Sequence, residues 1–233
     1  MKFALILLSM PISIQAIESR IKIAVIDTGV NKEVAQSSYM CENGIKNFTN
    51  SKDEDINGHG SHVVNIIGSA INNKKYCIVS YKVFNDKETL TDNYANNNAL
   101  FSIAKDNGFK YINMSMNGTL HDTTEFKLIN YLTNKNIKFT IAAGNEGKLI
   151  TKGDCDQYPA CYKLLINKPK NYYVIGAINT NYSNYGSIVD IQVEGTISSL
   201  GITKRGTSQA AAYYAGILIN NDDISENRHY KKL

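Results

Sequence analysis

The 233-residue sequence has only three prolines, only four cysteines and no block rich in lysine and arginine. Its 25 basic and 21 acidic residues are spread along the whole chain and leave a formal net charge of only +4. A dispersed charge of this size lacks the basic footprint of a nucleic-acid-binding protein, so we expect no nucleic-acid partner. There is also no internal repeat, low-complexity tract or Pro/Gly/Ser-rich linker, which is typical of one compact unit.

Long apolar runs are lacking as well. The first sixteen residues combine Lys2, an apolar stretch over residues 3–14 and the small residue Ala16. This stretch is shorter than the ~20 residues of a membrane-spanning helix, and Pro11 interrupts it. We therefore expect a signal peptide over residues 1–16 and one mature domain over residues 17–233. The chain is then secreted or periplasmic, with no membrane association after signal removal.

The four cysteines form neither a Cys-x-x-Cys pattern nor a Cys/His cluster with zinc spacing, which argues against a structural zinc site. An even number in an exported chain fits two disulfides, for which three pairings are open. Cys155 and Cys161 bracket a short loop, which favours a local bridge and, by exclusion, one between Cys41 and Cys77. Reduced, buried cysteines are the alternative.

The apolar segments alternate between two types along the chain. With 43% hydrophobic residues, the chain can bury one substantial core. Short β-branched runs predict strands over residues 21–26, 77–84, 110–114, 137–142 and 172–178. Helical stretches lie between or after them, over residues 61–70, 93–106, 123–134 and 208–220. This order predicts an α/β fold with a mostly parallel central sheet, flanked by helices in three layers.

Functional groups in such a sheet lie in the loops beyond the carboxyl ends of the strands. Asp27 directly follows the first predicted strand and precedes Thr28 and Gly29. His59 stands between two glycines at the start of a predicted helix. Taken singly, Asp27 reads as the start of a turn. His59 reads as a general base better than as a metal ligand, because His62 alone does not complete a ligand set.

Two later segments add complementary groups. Asn145 lies in a glycine-flanked loop after a predicted strand, where its amide could donate to an oxyanion. Ser208 introduces a helix of small residues, a position at which serine is usually just an N-cap. Together the four segments supply a carboxylate, an imidazole, an oxyanion donor and a hydroxyl nucleophile. A serine hydroxyl needs such a base, and the base needs a carboxylate to fix its tautomer.

These segments resemble the subtilisin-like serine proteases (subtilases, peptidase family S8) over nearly all of the mature chain. The matching motifs are IDTG at 26–29, GHGSHV at 58–63, AAGNEG at 142–147 and GTSQAA at 206–211. The order Asp, His, Ser is that of subtilisin, and no Gly-x-Ser-x-Gly elbow of an esterase surrounds Ser208. The resemblance implies a subtilisin-like fold and a serine endopeptidase with a catalytic triad of Asp27, His59 and Ser208.

The resemblance also assigns the residues around the triad. Asn145 would be the oxyanion donor. The pocket for the residue before the scissile bond would have Ser115, Met116 and Asn117 as one wall, and Ala143 and Gly144 as the other. The implied partner is a protein or peptide substrate, and we expect a monomer that requires no cofactor.

Several positions depart from the family pattern. Asn117 stands where the family usually has Gly, so we expect its side chain to narrow the substrate site. Only residues 17–20 separate the predicted signal from the first strand, so we expect folding without a propeptide. The acidic residues at 53–55 are interpreted as a solvated loop, and calcium is left as an open alternative for stability only.

Two rival functions remain open at this stage. A catalytically weak or inactive peptide-binding module on the same fold would explain Asn117 and the small size of the chain. A metal-dependent hydrolase would rely on His59 and His62, which lack a ligand set of adequate spacing. The presence of all triad groups favours the protease.

Overall fold

The computed structural model describes residues 20–85 and 93–230, with side chains described up to residue 225. The predicted signal peptide over residues 1–16 lies outside the described residues. The strands are β1 Ile21–Asp27, β2 Met40–Asn47, β3 Tyr76–Lys82, β4 Phe109–Met114, β5 Lys138–Ala142, β6 Tyr172–Ala177, β7 Ile191–Val193, β8 Thr196–Ser199 and β9 Ile202–Arg205. The α-helices are α1 Lys32–Ala35, α2 His59–Ala70, α3 Tyr94–Ala104, α4 Thr123–Asn134 and α5 Thr207–Tyr230.

The central sheet is parallel throughout the described residues. Its seven strands follow the order β2-β3-β1-β4-β5-β6-β7, and β8 and β9 form a separate antiparallel hairpin. Strand β1 shows why helices must cover both faces. Ile23 and Val25 are buried on one face against α2 and α5, whereas Ala24 and Ile26 are buried on the other against α3 and α4. The chain therefore has the three-layer α/β fold that the sequence predicts.

Most predicted elements are confirmed, with ends that differ by one or two residues. Helix α4 has the predicted bounds, because the Asp122 side chain accepts a hydrogen bond from the Glu125 N–H and caps the helix. Helix α5 continues ten residues beyond the predicted end at residue 220. Strand β2 was not predicted, since only Met40 and Gly44 in its sequence are buried at this edge of the sheet.

The two favoured disulfides are both present. Cys41 bonds Cys77 and ties edge strand β2 to β3, whereas Cys155 bonds Cys161 and closes a short loop. All four cysteines are thereby paired. Among the helices within the described residues, none combines the length and apolar character needed to span a bilayer.

The topology brings the sequence motifs to one edge of the sheet. Asp27 is the last residue of β1, Ser115 follows the end of β4, and Ala143 follows the end of β5. These three strands are neighbours in the order β1-β4-β5. Their carboxyl ends therefore open on a common crevice, which is the usual ligand site of an open parallel sheet.

Candidate active site

Asp27 and His59 form a direct pair in this crevice. His59 is the first residue of α2, and its Nδ1 lies 2.7 Å from Oδ1 of Asp27. Asp27 is only 1% exposed, and the same oxygen accepts from the Thr28 N–H at 2.7 Å. Because a carboxylate can only accept, the proton of the neutral imidazole lies on Nδ1. Nε2 is then the acceptor, as a general base requires.

A buried carboxylate holds the beginning of α2 against the loop after β1. Asp55 accepts hydrogen bonds from Gly58 N–H and the Thr28 hydroxyl through Oδ1, at 2.9 Å each. Through Oδ2 it accepts from the N–H and hydroxyl of Ser61, at 2.8 and 2.6 Å. These bonds flank His59 on both sides in sequence. Asp55 therefore fixes the position from which the imidazole reaches Asp27.

The prediction of a solvated acidic loop is wrong for Asp55. Asp53 and Glu54 are exposed as expected, whereas Asp55 is 5% exposed. Its burial is compensated by backbone and hydroxyl donors, as a buried charge requires. The tight packing at this point also needs Gly60, because a Cβ there would overlap the carbonyl oxygen of Gly29.

Ser208 lies at the start of α5 and is hydrogen-bonded to Ser115 in both directions. Its Oγ donates to the Ser115 carbonyl at 3.0 Å, and the Ser115 Oγ donates to the Ser208 carbonyl at 2.9 Å. Ser115, Asp27 and His59 line one cavity of about 180 Å³, together with Thr28, Phe84, Met116 and Asn117. The fold thus brings the imidazole and the carboxylate to one cleft, and Ser208 contacts Ser115 in the lining of that cleft.

Asn145 is anchored beside Ser208. Its Oδ1 accepts from the N–H of Thr207 at 2.9 Å and from the Thr207 hydroxyl at 3.1 Å. The same hydroxyl accepts from the Gly144 N–H at 3.1 Å. Because the amide oxygen is engaged in this way, the exposed side chain keeps its Nδ2 donor for another acceptor at the start of α5.

The two predicted pocket walls are bridged by side chains. Asn117 Nδ2 donates to Gln157 Oε1 at 2.7 Å and to Glu146 Oε1 at 3.1 Å. Asn184 Nδ2 donates to the carbonyl of Ala143 at 2.9 Å and to Glu146 Oε2 at 2.6 Å. The Asn117 side chain therefore spans from the wall after β4 to the loop after β5, where it reaches Glu146 and Gln157.

Sequence reasoning overlooked Gln157, which is buried and holds Asn117. Nothing in the local sequence of Gln157 indicates its contact with Asn117, because the two residues are 40 positions apart. The contact exists only once the loops after β4 and β5 lie side by side.

His62 does not share the chemistry of His59. Its side chain is buried and its Nε2 lies 3.2 Å from the carbonyl oxygen of Ile202, in the β8–β9 hairpin. Burial lowers the pKa of His62 below its usual range. No group of three or more His, Cys, Asp or Glu side chains within residues 20–85 and 93–225 is arranged to hold a metal ion.

The chain is similar in sequence to thermitase and to proteins named as serine proteinases or serine proteases. Thermitase of Thermoactinomyces vulgaris is 28% identical over 216 residues, which cover 84% of this chain and 72% of thermitase. A thermophilic serine proteinase of a Bacillus species is 30% identical over 84% of this chain and 50% of its own length. A subtilisin-like serine protease of Rhodotorula mucilaginosa is 31% identical over 86% and 59%, respectively. The chain therefore spans between half and three quarters of the length of these relatives.

Solved structures and a family model agree with this similarity. The crystal structure of a cold adapted subtilisin-like serine proteinase has a TM-score of 0.68 and 25% identity, covering 86% of this chain and 74% of that one. A lanthipeptide protease shares the fold with a TM-score of 0.68 at 19% identity. The family model described as the subtilase family matches residues 18–220. The chain belongs to the subtilase family of serine-type endopeptidases.

Proposed function

We propose that this chain is a secreted or periplasmic serine endopeptidase that cleaves peptide bonds through an acyl-enzyme. His59 Nε2 takes the proton of the Ser208 hydroxyl while Ser208 Oγ attacks the substrate carbonyl carbon. Asp27 keeps the proton of the resting imidazole on Nδ1 and stabilises the imidazolium that forms. His59 then protonates the leaving amine. Water, deprotonated by the same base, releases the acyl group and regenerates Ser208.

The observation that carries this proposal is the hydrogen bond of 2.7 Å between the buried Asp27 and the half-buried His59, in a cleft whose lining residue Ser115 contacts Ser208. In the free protein the Ser208 hydroxyl donates to the carbonyl of Ser115. A rotation about its Cα–Cβ bond releases this hydrogen bond and directs the hydroxyl to another acceptor. We propose that bound substrate favours the rotamer that donates to His59, since catalytic hydrogen bonds often form only in the complex.

The negative oxygen of the tetrahedral intermediate needs donors that are already in place. We propose Nδ2 of Asn145 and the backbone N–H of Ser208 for this role. The bonds from Thr207 to the Asn145 Oδ1 support it, because they orient the amide before substrate arrives. The beginning of α5 adds the partial positive charge of a helix N-terminus.

The same proposal includes the cellular compartment, the class of substrate and the oligomeric state of the enzyme. Two disulfides support an oxidising compartment, in agreement with the export signal that the sequence predicts. The substrate is a protein or peptide, and the enzyme acts as a monomer. The triad and the oxyanion donors supply every step above without a cofactor.

The direct test is hydrolysis of unfolded casein by the oxidised mature chain from Ile17 onward, with Ser208→Ala as the matched control. We expect proteolysis by the wild type and its loss in the variant, with both proteins equally folded by circular dichroism. Equal hydrolysis by the two proteins would refute the role of Ser208.

A second candidate is a peptide-binding module with little or no turnover. The bridge from Asn117 to Gln157 and Glu146 favours it, because these side chains occupy the space between the two pocket walls. Asn117→Gly separates the candidates. If the enzyme is active and the bridge only restricts which substrate side chain enters the pocket, Asn117→Gly cleaves a wider set of peptides than the wild type. If the site is inactive, Asn117→Gly still cleaves no peptide.

A further inference from the structure

A second and larger cavity adjoins the cleft of Asp27 and His59. Its volume is about 490 Å³, and it shares Met116 and Asn117 with the smaller cavity beside His59. Its rim and walls include apolar groups, namely Met116, Leu120, Tyr158 and Pro159. Its lining also includes polar groups, among them Asn96 of α3 and the carboxyl group of Glu125 of α4. The cavity therefore combines apolar walls with one acidic group.

Glu125 is an unusual group at this position, because it is only 6% exposed and has no cationic partner within the described residues. Asn96 Nδ2 donates to its Oε1 at 2.7 Å, and the Tyr162 hydroxyl donates to its Oε2 at 2.8 Å. A carboxylate has about four lone-pair sites, so two remain for further donors.

A second acceptor of the cavity lacks a partner among the residues that the structure describes. Asn96 is 3% exposed, and no described residue donates a hydrogen bond to its Oδ1, because its Nδ2 is the atom that contacts Glu125. A buried polar atom without a partner is costly and is rare in folded proteins. Both Glu125 and Asn96 therefore offer acceptors, and a ligand that satisfies them must donate hydrogen bonds.

The electrostatic environment of Glu125 also favours a cationic ligand. Burial raises the pKa of Glu125 to about 7, and the nearby Asp122 carboxylate adds to this effect. The hydrogen bonds from Tyr162 and Asn96 act in the opposite direction. Besides these groups, the exposed His121 packs against Tyr162 from outside. A cation in the cavity would relieve the burial of the charge and favour the carboxylate form.

We propose that this cavity binds the side chain of a lysine or arginine of the substrate, with the Glu125 carboxylate and Asn96 Oδ1 as acceptors. The proposal rests on the proposed peptidase function. The methylene stem of such a side chain can lie along Met116 and Tyr158 while its charged end reaches Glu125. Alternate side chains of an extended peptide point to the same side. A substrate along residues 115–118 thus places side chains two residues apart in the two cavities.

The experiment compares internally quenched peptides that carry Lys, Arg, norleucine or Glu at each of the four positions before the cut. We expect one position at which Lys or Arg gives a kcat/KM ~10- to 100-fold above norleucine, as for one charge-assisted hydrogen bond. Glu125→Gln should reduce this ratio to within about 3-fold. Glu33→Gln, the same change at an exposed site on α1, should leave it unchanged.

In the wild type, the preference for Lys or Arg over norleucine should also depend on pH. Glu125 gains its charge as the pH rises through about 7, so the preference for Lys over norleucine should increase between about pH 6 and pH 8. In Glu125→Gln the ratio should not change over this range. A general disturbance of the fold would lower the cleavage of Lys and norleucine peptides alike.

A binding measurement distinguishes an incorrect proposal for the cavity from an incorrect proposal of peptidase function. The Ser208→Ala variant can be tested for binding of the same peptides by fluorescence anisotropy, without turnover. Binding that prefers Lys or Arg and requires Glu125 supports the cavity even if the wild type cleaves nothing. Cleavage or binding that shows no such preference at any of the four positions, or a preference that persists in Glu125→Gln, overturns it.

Discussion

Asp55→Asn changes one atom of the group that holds the beginning of α2. The Asp55 carboxylate is 5% exposed and accepts four hydrogen bonds, two on each oxygen. One oxygen serves Gly58 and Thr28, and the other serves both the N–H and the hydroxyl of Ser61. In asparagine one of these oxygens becomes an NH₂ group, which can only donate.

Neither orientation of the amide preserves the network. If Nδ2 faces Ser61, the hydroxyl can turn to accept, but the Ser61 N–H is left opposite a donor. If Nδ2 faces Gly58, the N–H of that residue loses its acceptor instead. One unsatisfied buried donor costs about 1–3 kcal/mol, and loss of the negative charge weakens the remaining bonds, so we expect a total of about 2–4 kcal/mol. A shift of His59 by about 1 Å would also lower kcat/KM by ~10²-fold.

The assay measures urea unfolding and hydrolysis of a quenched peptide for Asp55→Asn and for the control Asp53→Asn. Asp53 is exposed, and its Oδ1 accepts from Asn47 Nδ2, a bond that an asparagine Oδ1 can still accept. We expect losses of stability and activity in Asp55→Asn, with the control near the wild type. An Asp55→Asn protein as stable and as active as the Asp53→Asn protein would refute the reasoning.

Three further predictions concern other parts of the chain. Asn145→Ala should lower kcat by ~10²–10³, the loss that removal of one oxyanion donor causes in subtilisin, with little change in the urea midpoint. Because a pKa of about 7 for Glu125 in the folded chain against 4.5 in the unfolded chain disfavours the charged folded form, the contribution of Glu125 to stability should fall by about 3 kcal/mol as the pH rises from about 4.5 to above 7. In urea titrations at several pH values, this fall should appear as the difference between the wild type and Glu125→Gln. Replacing Cys41 and Cys77 by serine should cost about 4 kcal/mol of unfolding free energy, since the bridge closes a loop of 36 residues.

The fold was largely predictable, because the central strands are continuous apolar runs, a pattern that indicates burial on both faces. Strand β1 is apolar on both faces, which only a parallel sheet between two helical layers satisfies. Strand β2 was missed because an edge strand needs few apolar residues. The extension of α5 was missed because its last turns carry polar residues, which are anchored instead by bonds from Lys138 and Tyr111 to Asp222.

The residues of the candidate site were predictable only where they stand in a distinctive local sequence motif. Asp27 and His59 stand in distinctive glycine-flanked motifs, and the structure brings them together. Glu125 was interpreted only as part of a helical stretch, since nothing near it in sequence indicates the cavity or its bond to Asn96, 29 residues away. The burial of Asp55 likewise depends on donors from Thr28, which lies 27 residues earlier. Such contacts follow from topology and cannot be seen in local pattern.

The central claim is that Ser208 is a nucleophile activated by His59 and Asp27. A fluorophosphonate probe, followed by intact mass measurement and peptide mapping, tests it most directly. The account predicts one adduct per chain, located on Ser208, and strongly reduced labelling in His59→Ala. A folded wild-type protein that gains no adduct, or gains one at another serine, would contradict the account.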